Sequence, residues 1–248
     1  MELRAGFATD IGKRRTQNQD SFAALPEFGL FVVADGMGGH RGGEIASAMV
    51  TETVPKFVKE ATSHKGWNPR VVLVEAIQAA NAAIYERGRT HAELQGMGTT
   101  TTALIFNGNT LTIGHVGDSR CYFFRPHMLW QATRDHSLVA ERLRAGLITR
   151  EEAKMDRMKN IITRSVGFEP SLNVEIYDME LNPGDAFLVC SDGLSGLIDD
   201  PTMLKIVENK LYGAKDPNSA VKTLIDAANS NGGDDNITAI LVEVVKTV

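Results

Sequence analysis

The chain has 248 residues, with 26 Lys and Arg against 31 Asp and Glu, a formal net charge of −5. Hydrophobic residues make up 43% and charged residues 23%, which suffices for a core without disulfides and argues against disorder or a collagen-like repeat. The acidic balance lacks the basic field that a general nucleic-acid binder needs.

Cys121 and Cys190 each stand alone in an apolar stretch, with no CxxC. They read as buried free thiols of a reducing compartment. The start, Met1-Glu2-Leu3-Arg4-Ala5-Gly6, has no charged head followed by an apolar core, and no window approaches the ~18 apolar residues of a membrane span. The expectation is a cytoplasmic protein without a membrane segment.

In chain order, Leu3–Thr9, Ser21–Leu25 and Gly29–Ala34 are predicted strands. The last is continuously apolar, as in a strand buried on both faces, and is expected to end in the loop Asp35-Gly36-Met37-Gly38-Gly39-His40. Two helices are predicted next. Gly43–Ala61 has a near-3.6 apolar period with Pro55 inside, and a second helix opens at Asn68-Pro69 and runs to about Glu93. Thr99–Phe106 and Thr110–Gly117 flank the turn Asn107-Gly108-Asn109, and Arg120–Phe124 and Met128–Thr133 form the next pair. The polar segment Ser137–Met158 holds the capping box Thr149-Arg150-Glu151-Glu152, which predicts two short helices. Leu172–Leu181 and Ala186–Cys190 are predicted strands. Pro201–Leu211 and Pro217–Asn229 are predicted helices, each opened by an Asp-Pro, and Ile237–Val245 is the last strand. Strands come mostly as hairpins, with helices in pairs. This predicts an α+β fold with antiparallel sheets packed on each other and two helices covering each outer face. No repeat or linker divides residues 1–248, so one domain is expected.

The acids carry the functional signal. Asp35, Asp118, Asp192 and Asp235 each lie at or beside the end of an apolar strand, next to small or turn-forming residues. Taken singly, each is an ordinary turn residue. Four in the same setting point to carboxylates converging where neighbouring strands end, and such a cluster cannot stay fully ionised without a cation. Hard oxygen ligands suit Mg²⁺ or Mn²⁺. Two such ions about 3.5–4 Å apart can activate a shared water for in-line attack at phosphorus. A phosphate would need a planar, bidentate cation beside it, and the loop before Asn18-Gln19-Asp20 offers Arg14 and Arg15.

These residues fall into segments that run nearly end to end. They are Thr9-Asp10-Ile11-Gly12, Arg15-Thr16-Gln17-Asn18-Gln19-Asp20, Asp35-Gly36-Met37-Gly38-Gly39-His40, Gly98-Thr99-Thr100 and Gly114-His115-Val116-Gly117-Asp118-Ser119-Arg120. They continue with Thr133-Arg134-Asp135-His136-Ser137, Ile162-Thr163-Arg164-Ser165-Val166-Gly167, Ser191-Asp192-Gly193-Leu194 and Gly233-Asp234-Asp235-Asn236-Ile237-Thr238. In this order the chain resembles the metal-dependent protein phosphatases of the PP2C (PPM) type, in their compact bacterial form. The resemblance implies a four-layer α-β-β-α sandwich and a binuclear Mn²⁺/Mg²⁺ centre, with a third, weaker ion as in bacterial members. It implies hydrolysis of phosphoserine and phosphothreonine in proteins by direct attack of a metal-bound hydroxide, in reversal of serine/threonine kinase signalling.

By motif, Asp35 resembles the carboxylate bridging two metals, and Gly36 the residue lending a carbonyl. Asp192 and Asp235 resemble ligands of the first metal, and Asp118 a ligand of the third with Asp192 shared. Asp20 resembles the group that holds metal-bound water, and Arg15 the phosphate clamp. Residues 137–160 fall where the family carries its flap. Two positions depart from the animal pattern. Gln19 replaces an acid, and Met37 stands where animal members place a histidine proposed as general acid, which leaves His40 or a metal-bound water to protonate the leaving group. His115, His136, Thr99 and Thr100 read as structural. The expected partners are phosphorylated Ser/Thr proteins, including a serine/threonine kinase, with no nucleic acid, no membrane and a monomeric state. Competing classes are a non-catalytic binding module on the same fold, a hydrolase of another phosphate ester such as a nuclease, and a narrow regulator acting on one phosphoserine partner. The four aspartates speak against the first and the net charge against the second.

Overall fold

A computed structural model describes residues 1–39 and 42–247, the side chain of Lys154 apart. His40, the proposed proton donor, lies outside the described residues.

Eleven strands form two antiparallel sheets among the described residues. The first contains β1 (Glu2–Asp10), β11 (Ile237–Lys246), β10 (Ala186–Cys190), β7 (Arg120–Arg125) and β8 (Met128–Gln131), in that order. The second runs β2 (Asp20–Leu25), β3 (Leu30–Met37), β5 (Thr101–Asn107), β6 (Thr110–Val116) and β9 (Glu175–Glu180), with the short β4 (Gly98–Thr99) paired to the end of β3. Long helices α1 (Gly42–Ala61) and α2 (Pro69–Thr90) cover the second sheet. Asn68 caps α2, its side chain accepting from the Arg70 N–H, with Pro69 in the first turn. The segment between β8 and β9 carries α3 (Leu138–Arg144) and α4 (Arg150–Met155), and the Thr149–Glu152 capping box starts α4. The helices α5 (Asp192–Ser195), α6 (Asp200–Val207) and α7 (Pro217–Ser230) lie on the first sheet.

Three apolar layers hold this sandwich. Strand β3 feeds two of them, which explains its unbroken apolar run. Leu30, Val32 and Ala34 pack with Val50, Val54, Leu73 and Ile77 under the helices, while Phe31 and Val33 face the other sheet. Between the sheets, Phe187 stacks on Phe123 with ring centroids 4.9 Å apart and meets Phe106 edge-on at 5.7 Å. β11 divides its side chains in the same way, with Ala239 and Leu241 in the outer layer and Ile240, Val242 and Val244 in the inner one. The α+β sandwich expected from the sequence is the fold observed.

Four local expectations need correction. Strand β3 does not end at Ala34. It continues to Met37, because Gly36 and Met37 pair with Thr99 and Gly98, so Asp35 sits within a strand. The strand expected at Thr99–Phe106 is divided at Thr100 into β4 and β5. Asp192 opens the one-turn helix α5, which was not expected on that face. The helix α6 is capped by Asp199, not by the Asp200 of the Asp-Pro pair.

Candidate active site

The site grows from the place where β2 meets β3. Asp20 opens β2 directly across from Asp35 in β3. The Asp35 backbone is pinned by Thr100, whose Oγ1 accepts from the Asp35 N–H at 2.9 Å and whose N–H donates to the Asp35 carbonyl at 2.8 Å. Thr99 Oγ1 donates to the same carbonyl at 2.9 Å. Thr99 and Thr100 are therefore framework, as the sequence suggested. Gly36 follows, its N–H donating to the Gln19 carbonyl at 3.1 Å. A Cβ there would come within 2.0 Å of the Gly43 carbonyl oxygen, so only glycine lets α1 begin this close to the strand.

Three other elements bring the remaining acids. Asp118 follows β6 through Gly117, Asp192 is the first residue of α5, and Asp235 lies two residues before β11. Asp20 and Asp118 are buried, and Asp35, Asp192 and Asp235 half-buried. The carboxylates feel one another. Burial first, then the charges of Asp20, Asp192, Asp118 and Asp235, push the Asp35 carboxyl well above its usual range. Burial lifts Asp20 to about 6, against hydrogen bonds from Thr238 and Ser191 and with help from Asp192 and Asp235. Asp118 rises to about 7 through burial, Asp192 and Asp135, with Arg120 opposing. Asp192 is raised by burial and Asp235, while a hydrogen bond with Asp35 pulls the other way.

The donor set fits a hard divalent cation. Asp20 Oδ1 and Asp192 Oδ1 are buried without a hydrogen-bond partner, an arrangement that costs free energy unless a cation or water meets it. Among the described residues no three carboxylate, imidazole or thiolate groups close on one point at ligand distance. A common field unites these five, since the charges of Asp20, Asp118, Asp192 and Asp235 all act on Asp35.

Arg15 reaches the cluster from the loop between β1 and β2 and donates to Asp235 Oδ2 at 2.7 Å. Asn236 holds that loop in place. Its Nδ2 donates to the Ile11 and Gln17 carbonyls at 3.0 and 2.9 Å, and its Oδ1 accepts from the Gln19 N–H at 2.8 Å. Ser191 links two sides of the cluster, donating to Asp20 Oδ2 at 2.8 Å and accepting from the Thr238 N–H at 3.0 Å. Sequence reasoning gave neither residue a role, although both lie inside motifs it had singled out. His115 is buried, with Nδ1 on Thr102 Oγ1 and Nε2 on the Arg134 carbonyl. Burial brings its imidazole down to about 4, so it is a neutral packing group, as expected.

A sandwich of two antiparallel sheets under helices, with acids from five places gathered at one end, defines a protein built to hold cations. The profile of the family Protein phosphatase 2C matches residues 12–242. The serine/threonine phosphatase Stp of Listeria monocytogenes is 37% identical over 245 residues, covering 97% of this chain and 96% of Stp. The phosphatase PstP of Mycobacterium tuberculosis is 35% identical over 98% of this chain, which spans 45% of PstP. A crystal structure of the PstP catalytic domain with two manganese ions superimposes with a TM-score of 0.88 at 34% identity, over 98% of this chain and 99% of that one. The chain belongs to the protein phosphatase 2C family.

Proposed function

We propose that this protein hydrolyses phosphoserine and phosphothreonine in proteins, with Mn²⁺ or Mg²⁺ as cofactor. The observation that carries the reading is the mutual field of Asp20, Asp35, Asp118, Asp192 and Asp235, together with two orphaned carboxylate oxygens. Asp35, the Gly36 carbonyl, Asp192 and Asp235 would hold two ions, and Asp118 with Asp192 a third. Such ions supply an activated water and charge neutralisation at the phosphoryl group. The chain's own part is positional. Arg15 would orient phosphoryl oxygens, Asp20 would accept a hydrogen bond from water held by the ions, and Ser191 and Thr238 keep that carboxylate aimed. His40 is proposed to protonate the leaving oxygen.

Cysteine-based phosphoryl transfer has no support, because burial pushes both thiols up, Cys190 to about 12, and neither lies in a Cys-x5-Arg loop. No helix among the described residues is long and apolar enough to cross a membrane. We take residues 1–248 as one phosphatase domain with a flap at 137–160, acting as a cytoplasmic monomer on phosphorylated proteins that include a serine/threonine kinase.

The test is hydrolysis of p-nitrophenyl phosphate and of phosphoserine and phosphothreonine peptides with Mn²⁺, with Mg²⁺ and with chelator. Activity should need added metal, and Asp35→Asn should lose Mn²⁺ binding in calorimetry together with turnover. Undiminished catalysis in rigorously metal-free buffer would refute the proposal.

A further inference from the structure

The segment 138–161, with α3 and α4, leaves the sandwich and returns beside Asp118. Its two ends are joined by an antiparallel bridge between Ser137 and Ile162, and by the Leu138 N–H donating to the Ile161 carbonyl at 2.9 Å. His136 stands at this root. Its N–H donates to the Gly117 carbonyl at 2.8 Å, and its carbonyl accepts from the Thr163 N–H at 2.8 Å. Its ring Nδ1 lies 3.0 Å from the Gly117 nitrogen. Its Nε2 faces Glu175 Oε1 at 3.1 Å, and Arg164 Nη1 lies 3.2 Å from the ring and 3.4 Å from the same oxygen.

A backbone N–H can only donate. Nδ1 therefore carries a lone pair toward Gly117, the ring proton sits on Nε2, and that proton goes to Glu175. Arg164 then pairs with Glu175 and not with the ring nitrogen. The ring is buried and packs on His115 with centroids 4.9 Å apart. Gly117 itself is tightly placed. Its φ is +106°, and a Cβ would strike Thr100 Cγ2 at 2.6 Å. Gly117, ahead of Asp118, is thus pressed by Thr100 on one side and held by His136 on the other, its carbonyl accepting from the His136 N–H and its N–H donating to the ring Nδ1.

We propose that His136 is a positioning residue that couples the 138–161 segment to Asp118. Its ring fixes the Gly117 peptide, its backbone anchors both ends of the segment, and displacement of the segment is transmitted to the Asp118 carboxylate. The proposal rests on the reading of Asp118 as a metal ligand. It places His136 in contact with neither substrate nor metal.

Two variants separate the ring nitrogens. His136→Asn puts an amide oxygen near the Nδ1 position, whereas His136→Gln puts its amide near Nε2. In metal-free protein, hydrogen exchange in His136→Gln should speed up by about tenfold in 116–119 and in 138–161 together, the scale of a buried N–H left unpaired. His136→Asn should stay close to wild type in both segments. With metal, His136→Gln should need about tenfold more Mn²⁺ for half-maximal hydrolysis of p-nitrophenyl phosphate, with its KM unchanged. If the two variants behave alike, or if exchange rises in only one segment, the coupling is overturned. Asp118→Asn, run in parallel, separates the two levels. A raised Mn²⁺ requirement there with none in His136→Gln overturns only the role of His136. A wild-type requirement in Asp118→Asn overturns the metal-ligand reading and the proposal with it. Imidazole ¹⁵N shifts of the wild-type protein give a check that survives misfolding of any variant. They should show a neutral ring protonated on Nε2, and a proton on Nδ1 at pH 7 would overturn the proposal.

Discussion

Arg15 donates to Asp235 with half of its side chain exposed, and that pairing sets what a phosphate has to displace. An ion pair this open to solvent contributes about 0–1 kcal/mol. A guanidinium fork on a phosphoryl group is a charge-assisted pair worth about 1.5–3 kcal/mol. Exchange from Asp235 to substrate is therefore downhill. Arg15→Ala should lower kcat/KM by about tenfold to a hundredfold, mostly through KM, and Arg15→Lys should fall between because it keeps charge but loses the fork. Steady-state kinetics in saturating Mn²⁺ decide this, and an unchanged KM in Arg15→Ala removes the residue from substrate binding. At this scale the sequence revealed acids better than their supports. Asp35, Asp118, Asp192 and Asp235 stood out because each lies beside an apolar run. Arg14 and Arg15 were offered by the loop as phosphate partners, and Asp20 and the choice of Arg15 came from family resemblance. His136 was read as structural without its partners, and Ser191 and Asn236 were silent, because their partners lie far along the chain. Ser191 bonds Asp20 across 171 positions and Asn236 bonds Gln19 across 217, separations on which no local pattern reports.

Strand β3 and helix α1 show what can be read at the scale of elements. Apolar periodicity placed α1 and α2 to within a few residues, and the continuous run of β3 announced a strand between two layers. The end of β3 was misread because Asp-Gly-Met-Gly has turn chemistry, and the partner that keeps it extended is the two-residue β4, too short for any period. α5 escaped for the same reason, being a single turn. At this misread end strand and helix approach closely. Gly36 faces the Gly43 and Gln19 carbonyl oxygens, and an added Cβ would meet them at 2.0 and 2.6 Å. Both are backbone atoms that no rotamer change can move. Gly36→Ala should therefore separate β3 from the start of α1 and cost about 1–3 kcal/mol, as overpacking does. Lost activity should accompany a lower denaturation midpoint, since the same shift moves Asp35. Gly39→Ala is the control, because a Cβ there meets nothing within 4 Å. Equal midpoints for the two variants would mean that the contact at Gly36 yields at no cost.

On the scale of the whole molecule, five of the 31 acids of a chain with formal net charge −5 act on one another in one place. The fold holds this charge at one end of the sandwich, and stability must then depend on pH in a definite sense. Asp118 at about 7, Asp20 at about 6 and the raised Asp35 bind more protons folded than unfolded, so their contribution is lost as pH rises through those values. The buried imidazoles work the other way. His115 at about 4, below its ordinary 6.5, and His136, lowered by burial and by Arg164, favour folding as pH climbs toward 6.5. Below 6.5 the two groups oppose each other, and above it the carboxylates act alone. In metal-free protein the melting temperature should therefore fall between pH 6.5 and 8. Mn²⁺ competes with protons for the same oxygens, so the rise in melting temperature that it causes should be larger at pH 8 than at pH 5.5. Thermal melts with and without Mn²⁺ at these pH values measure both slopes. A metal-free melting temperature that climbs from pH 6.5 to 8, or an Mn²⁺ increment that is flat with pH, would mean that the five carboxylates do not share one field.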